Sequence, residues 1–300
     1  MHEYDVTLVT QSKFVKIESP SRFEQCILED DALVRAALEA KGLRVYRTNW
    51  DDKNFDWCKT KYIFIRSPWD YFRRFDEFCA WLNDASSKTK FINTIEIIRW
   101  NIDKHYLLDL QREGLRIPPT VFIEKGDQRT LAQIAGEAEW KDFILKPAVS
   151  GAAYNTYKFG KDGIKEHEAI YSGLIANEAM LLQEFQYNIL DKGEVALMVF
   201  GGKYSHAVLK RAKEGDFRVQ DDFGGTVHDY IAAADEIEFA ERAASLCKPV
   251  PAYARVDVMW DNTNRVCISE LEVIEPELWF RKNPNSAKVL AQIISEYFRK

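Results

Sequence analysis

Several large functional classes are argued against by what this sequence lacks. Its five cysteines, Cys26, Cys58, Cys79, Cys247 and Cys267, are an odd number spread over 300 residues, with no C-x-x-C pair and no histidine at ligand spacing. That argues against a zinc site or a disulfide framework and fits reduced thiols in a cytoplasm. No stretch approaches the roughly 18 consecutive apolar residues of a membrane span. The first residues, MHEYDVTLVTQ, lack the basic start and apolar run of a signal peptide. A soluble, cytoplasmic protein is expected. The net charge is −6 and no block of Lys or Arg is long enough to track a phosphate backbone, so neither nucleic acid nor a membrane is an expected partner. The familiar phosphate loops are missing as well. Both Gly-Lys pairs, at 160–161 and 202–203, run into Asp162 and Tyr204 instead of Ser or Thr, and there is no G-x-G-x-x-G. Neither an H-E-x-x-H metal pair nor a G-x-S-x-G elbow occurs.

What is there is a large apolar fraction, 46% hydrophobic and 13% aromatic, enough for two or three subdomains. YDVTLVT (4–10), LRVYR (43–47) and YIFIR (62–66) read as strands, with a helix over 30–41 closed by Gly42. This β-α-β rhythm predicts a small α/β unit with a parallel sheet, ending near residue 100. A second unit follows: a helix over 102–113, a strand at 117–123, a helix over 128–137, a strand at 142–147, a helix over 163–176 and a strand at 180–185. From 194 the pattern changes to longer antiparallel strands, EVALMVFGG, KYSHAVLKR, AYARVDVMW and RVCISELEVI, with helices over 234–247 and 284–299. The expected division is 1–100, 101–185 and 186–300.

The last two strands flank DNTN (261–264), a turn-rich tetrapeptide, and should form an antiparallel hairpin. With Asp261 opposite Asn264, Arg255 falls opposite Glu270 with Asp257 on the diagonal. One face then carries Arg255, Asp257, Glu270 and Glu272, and Val256, Val258, Leu271 and Val273 line the other. A slip of one residue breaks this grouping. Three clustered carboxylates, Asp257, Glu270 and Glu272, are hard oxygen ligands suited to Mg²⁺, and two ions about 3.5–4 Å apart can share Glu270. An ion-pair network with Arg255 and nearby lysines accounts for the same residues. A cradle for phosphates is offered by ILKPAVSGAAYNT (144–156), where an apolar strand ends at Lys146 and small residues, Ser150 and Gly151 among them, expose backbone N–H groups.

In combination these features are more specific. IRSPWDY (65–71), FINTIEIIRWNIDKHYLL (91–108), ILKPAVSGAAY, LLQEF, KGEVALMVFGGKYSHAVLKR, GDFRVQDDFGGT and ISELEVIEPEL follow one another along most of the chain. In this order the sequence resembles the ATP-grasp superfamily, and within it the prokaryotic glutathione synthetase-like, D-cycloserine ligase-like branch. The resemblance implies an α/β and α+β fold of three subdomains, with ATP held between the central and C-terminal lobes. It implies a ligase that joins a small-molecule carboxylate to an amine through an acyl phosphate, with ATP and two Mg²⁺ as cofactors, and it allows a homodimer. Carried over by motif, Lys104 and Lys146 contact ATP phosphates, with Ser150 and Gly151 in the loop beside them. Gln183, Glu184 and Phe185 form the adenine hinge, and Glu194 is the acidic ribose ligand. Asp257, Glu270 and Glu272 hold the metal. Arg218 stabilises the reacting phosphoryl group, and Arg255 and Lys146 complete the catalytic set.

SPWD (67–70) reads as a helix start, with Ser67 as N-cap, Pro68 at N1 and Asp70 at N3. The same start presents Arg66, Ser67 and Trp69 to a substrate carboxylate. Departures from the family pattern are Glu272, where many relatives carry Asn, the SGAAY loop, which is less glycine-rich, and Ala196, where close relatives often carry a polar residue. ATP and three carboxylates bring roughly seven negative charges, which two Mg²⁺, Lys104, Lys146 and Arg218 offset, so the site is expected to balance only when loaded. A small-molecule kinase and a nucleotide-binding module without turnover are the alternatives on the same fold.

Overall fold

The computed structural model describes residues 2–220 and 223–298. Three sheets follow one another along the chain. In the first, strands β1 (Tyr4–Thr10), β2 (Val45–Asn49), β3 (Thr60–Ser67) and β4 (Lys90–Phe91) lie in the order β2-β1-β3-β4, with every pair parallel as expected. Helices α1 (Arg22–Glu39) and α2 (Phe75–Lys88) make crossovers. α1 starts at Arg22 and not at residue 30, because Ser21 and Glu24 form a reciprocal capping box: the Ser21 amide donates to the Glu24 carboxylate at 2.8 Å and the Glu24 amide donates to Ser21 Oγ at 3.3 Å. The helix expected to open at Ser67 does not form there. Ser67 closes β3, its hydroxyl hydrogen-bonded to that of Thr10 at 2.7 Å, and Asp70 accepts from Trp50 Nε1 at 2.9 Å instead of capping.

The single helix expected over 102–113 is two short ones, α3 (Ile95–Asn101) and α4 (Tyr106–Arg112). Between them the Asp103 carboxylate accepts the His105 amide at 2.9 Å, which restarts the helix after a turn. The second sheet, antiparallel throughout, runs β5-β8-β6-β7, from β5 (Thr120–Ile123), β6 (Asp142–Pro147), β7 (Tyr157–Gly160) and β8 (Met180–Glu184). Phe143, Leu145, Met180 and Leu182 pack on one side of it against helices α5 (Leu131–Glu137) and α6 (Ile164–Ile175). β7 was not expected from the sequence.

After helix α7 (Asn188–Lys192) comes the third sheet, in the order β11-β10-β9-β12-β13. Its strands are β9 (Glu194–Phe200), β10 (Lys203–Arg211), β11 (Thr226–Tyr230), β12 (Tyr253–Trp260) and β13 (Val266–Glu272). Alternation divides it cleanly. Val195, Leu197, Val256, Val258, Leu271 and Val273 form one face, buried with helix α8 (Ala234–Leu246) and with α4. On the other face Ala196, Met198 and Val208 pack into the first sheet's core, helped by helix α9 (Pro284–Glu296) lying along α1. Further along that same face the side chains turn charged.

The hairpin of β12 and β13 departs from the expected register in two places, and the two single-residue slips add to a shift of two that keeps the expected face but pairs Arg255 with Glu272 instead of Glu270. The turn is one residue longer than expected: the Asp261 amide donates to the Arg265 carbonyl at 2.8 Å, with Asn264 at φ 65°, and Val258 pairs with Ile268. That single slip would have turned Glu270 and Glu272 to the apolar side. A bulge at Ser269 adds the second residue, so Asp257 pairs with Glu270 and Arg255 with Glu272. The edge of β13 is covered by side chains from the α3–α4 segment. Asn101 donates to the Leu271 carbonyl at 2.7 Å and accepts the Val273 amide at 3.1 Å, and the Tyr106 hydroxyl accepts the Leu271 amide at 2.9 Å.

Candidate active site

The charged stretch of the third sheet opens into a cavity of about 290 Å³, walled by the second sheet on one side and by the turn after β3 on another. At its centre Asp257, Glu270 and Glu272 bring carboxylate oxygens within 4.8 Å of one another. Asp257 is buried, 1% exposed, and takes two hydrogen bonds from Arg255 at 2.8 Å each and one from Lys210 at 2.8 Å. Burial works against its ionised form, and Arg255 and Lys210 outweigh burial and hold the carboxyl below the usual range. Burial likewise opposes ionisation of Glu270, which Lys104 and Lys146 hold low. Glu272 is pushed well up by burial despite its pairing with Arg255.

Lys104 sits in the turn that separates α3 from α4, and that break lets it reach three elements. Its amide donates to the Ala148 carbonyl at 2.9 Å, its ammonium to the Ser150 carbonyl at 2.7 Å, and the same Nζ lies 3.1 Å from Glu270. A straight helix over 102–113 could not do this. Lys146, at the end of β6, is pulled down to about 8 by burial and by the like charge of Lys104. The loop that follows packs against the turn after β3: a Cβ on Gly151 would lie 2.9 Å from the Phe72 ring, and Ala152, Ala153 and Asn155 take positive φ of 49°, 53° and 50°.

On the far side, Gln183, Glu184 and Phe185 line the cavity where β8 ends. The Glu184 and Phe185 amides are committed to the carbonyls of Pro119 and Asp142 at 2.9 and 3.0 Å. Among the described residues the neighbouring Gln186 amide takes no protein partner, and it lines the same wall. Glu194 begins β9 with its carboxylate paired to Lys210 and accepting from Ser269 Oγ at 2.8 Å, so the bulge residue also steadies this acid.

Thus four carboxylates, Glu194, Asp257, Glu270 and Glu272, face Lys104, Lys146, Lys210 and Arg255. The expectation that the site balances only when loaded is corrected: the buried carboxylates already have counter-cations, because Lys210 and Arg255 reach them from within the sheet. ATP with two Mg²⁺ adds roughly four charges of each sign, so balance holds in either state. Arg218 also lines the cavity. It is engaged by Asp216, with a shortest distance of 2.7 Å, and lies 3.7 Å over the Phe223 ring. Residues 221 and 222 of its loop lie outside the described residues.

Comparison with known proteins agrees with this architecture. Residues 6–93 match the family described as D-cycloserine synthetase DcsG, N-terminal domain. Over 278 residues the chain is 28% identical to the cycloserine biosynthesis protein DcsG of Streptomyces lavendulae, spanning 87% of this chain and 91% of that one. The crystal structure of D-cycloserine synthetase DcsG superposes with a TM-score of 0.83 at 25% identity over 97% of this chain and 99% of that chain. The structure of ATP-grasp ligase PsnB complexed with minimal precursor gives a TM-score of 0.63 at 19% identity over 97% of this chain and 98% of that chain. This chain has the ATP-grasp fold and is similar over most of its length to D-cycloserine synthetase DcsG. As in the sequence reading, the ATP-grasp motifs converge: Lys104, Lys146, Ser150, Gly151, Gln183, Glu184, Phe185, Glu194, Arg218, Arg255, Asp257, Glu270, Glu272 and Trp69 all line the cavity.

Arg66 and Ser67 are not among the residues lining it. Arg66 is 4% exposed and held by Asp31 at 3.1 Å between the rings of Phe64 and Phe280. Alternation along β3 sends it into the sheet's own packing. Conversely, sequence reading assigned no site role to Lys210, Tyr71 or Glu275, which also line this cavity. A signal for Lys210 was available: in antiparallel pairing it falls opposite Glu194.

Proposed function

We propose that the protein is an ADP-forming ligase that joins a small-molecule carboxylate to an amine, using ATP and Mg²⁺ and passing through an acyl phosphate. The observation that carries the reading is the convergence of Asp257, Glu270 and Glu272 beside Lys104 and Lys146 in one cavity. The similar proteins named above support it, as does a PsnB structure containing Mg and ADP. In this reading the three sheets are the cores of subdomains 1–100, 101–185 and 186–300, with the nucleotide between the second and third. Hard oxygen ligands in this number suit two Mg²⁺, which when bound offset phosphate charge.

The chain's own residues then do the following. Lys104 and Lys146 hold phosphate oxygens, and Lys146 regains its full charge there because an anion reverses the effect of burial. Gln183 to Gln186 frame the adenine, and Glu194, paired to Lys210, faces the ribose. The substrate carboxylate oxygen attacks the γ-phosphorus as the bond to the β-bridging oxygen breaks and ADP departs. Arg218 turns from Asp216 to the developing charge. The amine, having given up its ammonium proton to solvent, then forms the C–N bond, phosphate leaves with the electron pair of the C–O bond, and the second proton shed by nitrogen leaves with the phosphate. Arg255 keeps Asp257 and Glu272 in place throughout.

The experiment is a screen of amino acids and small peptides for stimulated ADP release, with hydroxylamine as the trap. An acyl hydroxamate formed together with ADP is the expected result. A stable phosphoester in its place would mean a kinase, and nucleotide binding without any ADP would mean a binding module.

A further inference from the structure

Beyond the metal carboxylates, the cavity continues toward the turn after β3, and its end is acidic. Glu272, Glu275 and Glu277 follow one another along the segment leaving β13, and all three line the cavity. Two of them are neutralised within the protein: Glu272 by Arg255, and Glu277 by Arg281, whose Nη2 lies 2.6 Å from its carboxylate. Among the described residues Glu275 has no Lys, Arg or His within ion-pair distance. Its main chain is fixed, since Trp69 Nε1 donates to its carbonyl at 3.0 Å, and the Tyr71 hydroxyl stands beside the carboxyl. The cations that act on it from a distance, Lys104 and Arg255, are paired elsewhere, Lys104 with Glu270 and Arg255 with Asp257 and Glu272. A half-buried carboxylate with no counter-ion is costly unless something brings one. Burial pushes the Glu275 carboxyl up to about 7, so a cation arriving beside it favours the ionised form. Its surroundings fit an organic cation: Trp69 and Phe72 offer apolar and π surface next to this carboxyl.

We propose that Glu275 receives the ammonium group of the amine-bearing substrate, so that the enzyme selects a cationic primary amine over a neutral nucleophile of the same shape. This rests on the ligase reading for the meaning of the site, while the binding it predicts is measured without turnover. Glu275 is set apart from Glu272 and Glu277 by its lack of an internal partner. The acid that is already paired contributes little selection, and the unpaired one decides it.

The test uses the full chain with Mg²⁺ and a non-hydrolysable ATP analogue. Butylammonium and 1-butanol, alike in shape and different in charge, are titrated by calorimetry. Wild type should bind butylammonium in preference to 1-butanol, and Glu275→Gln should weaken the ammonium roughly ten- to hundredfold, the value of a charge-assisted hydrogen bond, without changing 1-butanol. Glu277→Gln should shift the ammonium by less than about twofold, since Arg281 already neutralises that acid. Equal binding of butylammonium to wild type and Glu275→Gln overturns the proposal. So does a wild type that does not distinguish the two probes or binds neither. Because hydroxylamine is neutral at neutral pH, hydroxamate trapping in the wild type judges the ligase reading separately: trapping without ammonium preference sinks only this proposal.

Discussion

Replacing Lys210 by Met would remove the cation that bridges Glu194 and Asp257 while keeping the length of the side chain. The side chains involved are enclosed, with 7% exposure for Lys210, 11% for Glu194 and 2% for Asp257. Breaking a buried pair by deleting one partner costs about 3–5 kcal/mol, because a charge is left without compensation. Asp257 keeps Arg255 at 2.8 Å, and Glu194 keeps only Ser269, so the loss falls mainly on Glu194 and the lower end of that range applies. The expected change is about 3 kcal/mol, or roughly 5–10 °C in melting temperature for a chain of this size. Acid sensitivity should change with it. Asp257 has a folded pKa below its unfolded value, so its contribution is complete above the unfolded value and is lost as pH falls through the folded one. Without Lys210 the folded value rises, and acid unfolding should begin at higher pH. Urea unfolding at two pH values measures both effects. Adding Glu194→Gln to Lys210→Met should return at least half of the lost stability, since the orphaned charge is gone. If the single variant loses less than about 1 kcal/mol, or the double variant is no better than the single, then the buried network is not what holds these acids.

Four further outcomes are expected. Glu270→Gln should abolish ADP formation with the fold retained, as read by coupled ADP assay and circular dichroism. Lys146→Met should do the same. In the wild type, Lys146, pulled down to about 8 by burial and Lys104, should take up a proton when a polyphosphate binds between about pH 8 and 10. Nucleotide affinity should therefore fall as pH rises through that window, and the binding heat should depend on the buffer's ionisation enthalpy; no buffer dependence would refute it. Gly151→Ala should weaken nucleotide binding by pressing on the Phe72 ring at 2.9 Å, and Phe72→Ala in the same chain should restore part of it.

Parts of the molecule were readable in the sequence because they rest on local chemistry. Alternation in β1, β3 and β6, Gly42 after α1, and the turn-rich DNTN each depend on residues close in sequence. The capping box at Ser21 and Glu24 was readable too, since its S-x-x-E spacing stands in SRFE, although the expected helix began later. The motif order likewise pointed to the ATP-grasp fold and to the charged residues Lys104, Lys146, Glu194, Asp257, Glu270 and Glu272 that the cavity gathers. What failed depended on features without a local mark: the break at residues 102–105, the edge strand β7, and the isolation of Arg66 inside the first sheet.

The sequence by itself determined which side chains are available and on which face of each strand they stand, because a period of two needs no distant partner. Only the tertiary structure decided how those faces meet. A long turn and a bulge at Ser269 add two single-residue slips that restore the carboxylate face, and Lys210 reaches Asp257 from two strands away. Lys104 joins a helix break to the loop at Ser150 and to Glu270 on β13. Register and counter-charge are properties of pairs distant along the chain. Their energies come from burial that exists only once the three sheets have closed around one cavity.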